Sequence, residues 1–194
     1  EVILHGYEEY GVEILNKLRG MFAFALYDRE KREIVLARDP FGIKPLVYTE
    51  LPQGFAFASE LRALASLEEF PKELDDQALN LYFRLNYIPA PWTIWRHARK
   101  LEPGHYLRVR GGRIIERRRY YTLPTAKWNG TVEAAVEALT GALESSVRLH
   151  LASDVPLGAF LSGGLDSSLI VALAQNALGA PLKTFTVTFP DFPY

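Results

Sequence analysis

Leu157-Gly158-Ala159-Phe160-Leu161 runs directly into Ser162-Gly163-Gly164-Leu165-Asp166-Ser167-Ser168, and the reading of the chain turns on this stretch. The apolar run predicts a short buried strand, and Ser167–Leu178, stopped by Gly179 and Pro181, predicts a helix. A polar loop between strand and helix sits where open α/β sheets bind ligands. Two glycines let the backbone approach an anion and turn its N–H groups inward. Three serine hydroxyls add donors, and the start of the following helix favours negative charge. Asp166 is costly in such a nest unless it faces a cation, which makes it a candidate Mg²⁺ ligand. No Gly-Lys-Ser/Thr follows the glycines, so the loop is not a Walker loop, and Gly-x-Gly-x-x-Gly is absent. A plain Gly-Gly turn before a serine-capped helix explains the string alone; the strand–loop–helix setting favours anion binding.

Outward from the loop, the pattern continues as helix and strand. Thr131 is placed to cap a helix whose Val132, Ala135, Val136, Leu139, Ala142 and Leu143 form one stripe. Lys183–Phe189 is a β-branched and aromatic strand, so residues 131–194 read as the start of a parallel α/β sheet. Residues 123–130, mostly polar with Pro124 and Gly130, read as a linker. Residues 1–122 follow another pattern. Residues 2–18 have helical spacing broken near Gly11, and Met21–Tyr27 is apolar on both faces, as in a strand covered on both sides. Glu33–Ala37 is its returning strand, and strands follow near 46–49 and 55–58. Ser59 is expected to cap a short helix to Ser66, and Asp76–Leu85 reads as a helix ahead of Pro89-Ala90-Pro91. His105–Arg110 and Arg113–Arg117 form a hairpin about Gly111-Gly112.

The chain has 194 residues, 48% hydrophobic and 23% charged, with net charge −1. That composition excludes wholesale disorder, and no apolar run reaches the roughly 18 residues of a membrane span. No basic start precedes an apolar stretch, so the cytoplasm is the expected compartment. With no cysteine, disulfides, thiolate metal sites and a cysteine nucleophile are excluded within these residues. His5, His97, His105 and His150 lack metal-ligand spacing. The opening on Glu1 and the close at 190–194 lead us to expect an internal stretch of a longer chain.

SGGLDSS after LGAFL resembles the pyrophosphate loop of the N-type ATP pyrophosphatases, which split ATP between the α- and β-phosphates. The resemblance implies that Ser162, Gly163, Gly164, Asp166, Ser167 and Ser168 hold pyrophosphate and Mg²⁺, and that Leu161 and Val187, in the next strand, border the adenosine. Met21–Asp28, Arg38–Leu46 and Phe57–Glu60, in that order, resemble the later portion of a class II glutamine amidotransferase domain. From turn chemistry, Arg38 and Asp39 are expected to scaffold rather than catalyse. The two halves, with Lys100–Leu107, are together similar to the B-type, glutamine-hydrolysing asparagine synthetase family.

The resemblance implies an α+β sheet unit of N-terminal-nucleophile type, followed by the start of an α/β parallel-sheet ATP pyrophosphatase domain. ATP, aspartate and glutamine are the implied substrates, and Mg²⁺ the metal. In that family an N-terminal cysteine hydrolyses glutamine with its own α-amine as base. An Asn-Gly pair stabilises the oxyanion, and an arginine and an aspartate hold the substrate. These groups are expected before Glu1, and a second Mg²⁺-binding aspartate beyond Tyr194. No catalytic residue is therefore expected here, and the stretch alone is expected neither to hydrolyse glutamine nor to make asparagine.

Two alternatives remain open at the sequence. One is a related enzyme acting on another carboxylate, such as a β-lactam synthetase or a sugar-acid amidotransferase. The other is a nucleotide- or RNA-binding, non-catalytic relative. Between Arg96 and Arg119 nine Lys/Arg face two Glu, a local charge of +7. A solvated hairpin with Arg stems lying over apolar surface also explains that density, and overall pI disfavours nucleic acid as a partner.

Overall fold

A computed structural model describes residues 1–188, which divide into one unit at Glu1–Pro124 and another from Thr125 onward. The whole is mixed α/β with antiparallel sheets in the first unit. Among the described residues no helix is long and apolar enough to cross a membrane.

The first unit opens with α1 (Val2–Tyr10) and a 3-10 segment, Gly11–Asn16. Then come β1 (Ala23–Asp28), β2 (Glu33–Arg38), β3 (Val47–Leu51), β4 (Gly54–Ala58) and α2 (Leu61–Ala65). α3 (Asp76–Leu85), β5 (Arg99–Lys100), β6 (His105–Arg110) and β7 (Arg113–Arg119) complete it. The strands form two antiparallel sheets, ordered β1-β2-β6-β7 and β4-β3-β5. Alternation along β2 gives each face of the larger sheet its own core. Leu36, with Leu107 and Val109, packs on Tyr48 and Leu46, while Ala37 and Tyr106 pack on Leu15 of the 3-10 segment. The far side of the smaller sheet buries Val47 and Leu51 on Leu64 of α2 and on Phe70. Helical cover, sheet, sheet and helix thus lie in layers.

Several expectations change here. β1 is not covered on both sides: it is an edge strand, and Tyr27 is exposed while Leu26 is buried. β2 is the strand buried on both faces. Ser59 does not cap α2, whose N-cap is Glu60 without a side-chain bond. α3 spans the expected residues because both ends are locally specified. The Asp75 carboxylate accepts the Ala78 N–H at 3.0 Å, and Asn86 closes the helix at φ 59°. Pro91 follows through a cis Ala90–Pro91 bond.

In the second unit, α4 (Val132–His150) is capped by the Thr131 hydroxyl, which accepts the Ala134 N–H at 3.2 Å. β8 (Gly158–Phe160), α5 (Leu165–Ala177) and β9 (Lys183–Phe185) follow, and β8 and β9 pair in parallel with Phe160 opposite Phe185. The expected stripe on α4 is mostly exposed, and the helix buries Val147 instead. β8 is not a buried strand either, since Phe160 is 81% exposed. The expected strand at 183–189 ends at Phe185, and Phe189 lies outside the described residues.

Candidate functional site

β8 ends where the loop begins. The Leu161 N–H still joins the ladder, donating to the Phe185 carbonyl at 2.9 Å. Gly163 then turns at φ 78° with no atom near the position a Cβ would take. α5 starts at Leu165, two residues before the expected start, so Asp166, Ser167 and Ser168 belong to its first turn rather than to a loop ahead of it. Gly164 is the N-cap, and no side chain caps the helix. Orphan amides in the first turn of an uncapped helix attract anions.

The serines differ in what they do. The Ser167 hydroxyl accepts the Ser162 N–H at 3.3 Å, lies 2.9 Å from Ser162 Oγ and donates to the Gly164 carbonyl at 3.1 Å. It therefore staples the loop across its base. Ser168 gives its backbone N–H to the Gly164 carbonyl at 3.1 Å. Asp166 is exposed and in no ion pair among the described residues. A left-handed glycine with open space, an uncapped helix start, three hydroxyls and an exposed carboxylate form a donor set that fits a polyphosphate with a hard cation.

Leu161 is half-buried at the loop entrance. Val187 is not in a strand: it lies two residues past β9 and is 73% exposed. Two residues missed in the sequence support the site, one at the loop entrance and one behind it. Thr186 donates its hydroxyl to the Leu161 carbonyl at 2.7 Å. Gln175 accepts the Leu182 N–H at 2.8 Å and donates to the Ala180 carbonyl at 3.4 Å, fixing the connection from α5 into β9. No sequence signal points to Thr186: its place follows from the parallel register, in which the residue after Phe185 faces the residue after Phe160.

In the first unit, Arg38 and Asp39 shape the 38–46 turn. Asp39 Oδ1 accepts the N–H groups of Phe41 (3.1 Å) and Ile43 (3.0 Å), and Oδ2 accepts that of Lys44 (3.0 Å). Arg38 donates to the carbonyls of Lys44, Leu101 and Gly42 at 2.8, 2.6 and 2.7 Å. Gly42 stands at φ 64°, and a Cβ there would come within 2.8 Å of Pro103 Cγ. Burial first, and the Asp39 charge second, push the Tyr120 phenol well above its ordinary value; it donates to the Arg38 carbonyl at 2.7 Å.

Four of the nine basic residues of 96–119 pair with acids outside the segment, and a fifth pairs with Glu102 inside it. Glu73 takes Arg96 and His97, Asp75 takes Arg99, Glu33 takes Arg108 and Arg110, and Glu102 takes Arg117. His5 and His97 meet glutamates, and His105 and His150 bond local carbonyls. Among the described residues no three His, Cys, Asp or Glu gather as a metal cluster.

Residues 1–121 match the glutamine amidotransferase domain family, and residues 138–194 match the asparagine synthase family. A putative glutamine-hydrolyzing asparagine synthetase of Mycobacterium tuberculosis is 44% identical, the alignment covering 97% of this chain and 30% of that protein. Glutamine-hydrolyzing asparagine synthetase 1 of Bacillus subtilis is 39% identical over the same shares. A putative asparagine synthetase of Methanocaldococcus jannaschii is 35% identical over 97% of this chain and 38% of its own length. The chain thus spans about 30% of the length of the first two relatives.

Proposed function

Since this chain belongs to the glutamine amidotransferase domain family and continues into an asparagine synthase segment, we propose that it is part of a glutamine-dependent asparagine synthetase. Residues 1–122 supply the later part of the amidotransferase domain, of N-terminal-nucleophile type. Residues 123–130 link it to the start of an ATP pyrophosphatase domain at 131–194. The substrates are ATP, aspartate and glutamine, and the compartment is the cytoplasm.

In the reaction, an oxygen of the aspartate side-chain carboxylate attacks the α-phosphorus of ATP and pyrophosphate leaves. Ammonia released from glutamine then takes the acyl carbon and AMP departs. The chain has no cysteine, so a thiol that hydrolyses glutamine is supplied from outside these residues. Their own task is at the phosphates. The first-turn amides of α5, with Gly163, Gly164 and the hydroxyls of Ser162, Ser167 and Ser168, hold the pyrophosphate moiety. Leu161 and Val187 border the adenosine. Asp166 would hold magnesium, which supplies charge neutralisation on the phosphates when bound.

The observation that carries this reading is the uncapped start of α5 behind the open, left-handed Gly163. The serine staple within the loop accords with it. Nucleic acid is left out because acids of the same unit already meet most of the basic segment. The test is pyrophosphate release from ATP by the longer protein against a panel of carboxylates. Release that requires aspartate, and falls at least a hundredfold in Asp166→Asn, is expected, since the metal and phosphate charges stabilise the transition state. Release with another carboxylate but not aspartate would make the protein a relative with a different acceptor.

A further inference from the structure

The ladder bond from the Leu161 N–H to Phe185 fixes the peptide plane before Leu161. It leaves free the next plane, which carries the Leu161 carbonyl and the Ser162 N–H. In a trans peptide these two groups point to opposite sides of the chain, so fixing one aims the other. The Thr186 hydroxyl donates to this carbonyl at 2.7 Å. On the opposite side, the Ser162 N–H points into the loop, toward Ser167 Oγ at 3.3 Å. Gly163 follows at φ 78°, a residue type whose backbone imposes little direction of its own.

We propose that Thr186 is a positioning residue of the anion loop, its hydroxyl locking the Leu161–Ser162 peptide so that the Ser162 N–H faces the bound phosphate. The proposal rests on the reading of 162–168 as a pyrophosphate loop and deepens it. When an anion enters, the Ser162 N–H exchanges Ser167 Oγ for a phosphate oxygen without reorienting its peptide. The hydroxyl is the effective group: valine keeps the shape and loses the bond, whereas serine keeps the bond. Thr186 also precedes Val187, so one residue joins the phosphate end of the site to the strand that leads to its adenosine border.

The test uses the longer protein that carries this chain, labelled with ¹⁵N at serine and glycine and titrated with inorganic pyrophosphate in the presence of magnesium. Amide spectra report the loop, and calorimetry reports affinity. Thr186→Val is expected to weaken pyrophosphate binding roughly three- to tenfold, the worth of one ordinary hydrogen bond. It is also expected to move the Ser162 amide signal before any ligand is added. Thr186→Ser is expected to restore both the signal and an affinity within about twofold of the parent. If Thr186→Val does not fold, comparison of Thr186→Ser with Thr186→Ala carries the same outcomes. Unchanged affinity and an unmoved Ser162 amide in Thr186→Val overturn the role, as does an equal loss in Thr186→Ser. A longer protein whose 162–168 serine and glycine amides ignore pyrophosphate overturns the loop reading itself, and the role of Thr186 with it.

Discussion

A carboxylate wholly removed from water needs partners for both oxygens. Glu33 is buried completely and has them: Oε2 meets Arg108 at 2.7 Å and Oε1 meets Arg110. Arg108 in turn meets Glu116 at 2.9 Å, and Glu116 accepts the Tyr106 hydroxyl at 2.8 Å. Burial alone raises the Glu33 pKa, but the two guanidiniums outweigh it and hold the carboxyl below its ordinary 4.5. A depressed carboxyl stabilises the fold above its unfolded value, and that contribution disappears as pH falls through the folded value. Glu116 shifts the same way, through Tyr106 and then Arg108, and Asp28 falls to about 2 through Lys31. Urea midpoints of the parent are therefore expected to fall as pH drops below about 4.5. Glu33→Gln is expected to be less stable at neutral pH and to show a shallower acid slope. Parallel slopes would show that the folded chain does not shift the Glu33 carboxyl, and a steeper slope in the variant that burial raises it.

At the scale of elements, the 38–46 turn depends on one acid as a template. Asp39 is almost completely buried, and its two oxygens collect the turn amides of Phe41, Ile43 and Lys44. Asn would present an NH₂ group to at least one of these donors. Asp39→Asn is therefore expected to cost roughly 2–3 kcal/mol, because charge-assisted bonds are lost and a buried donor is left unmet. Chemical denaturation measures this, and a change below about 0.5 kcal/mol would remove Asp39 from its role. The elements best read from sequence were those specified by their own residues. Asp75 and Asn86 bound α3, Gly111-Gly112 closes the β6–β7 hairpin, and Thr131 starts α4. Which face an element covers was not legible. Met21–Tyr27 is more apolar than Glu33–Arg38, yet strand order puts the first at an edge and the second inside. The early start of α5 was missed for a related reason: Leu165 looks like a loop residue until Gly164 is seen as the cap.

For the whole molecule, charge and order carried more than composition. The density of +7 along 96–119 suggests a nucleic-acid surface, but its acids come from Glu33, Glu73 and Asp75, distant in sequence. Only the folded unit brings them together. The anion loop was legible as a string with a setting, because glycine, serine and strand–helix context act locally. Thr186 was not, because its part depends on the register between β8 and β9. We propose that the longer protein activates a carboxylate by splitting ATP at the α-phosphorus. The direct measurement follows ¹⁸O from side-chain-labelled aspartate during asparagine synthesis. Attack by the carboxylate, followed by ammonia at the acyl carbon, predicts one labelled oxygen in AMP and none in pyrophosphate. Label in inorganic phosphate with ADP as co-product, or unlabelled AMP, would contradict the account.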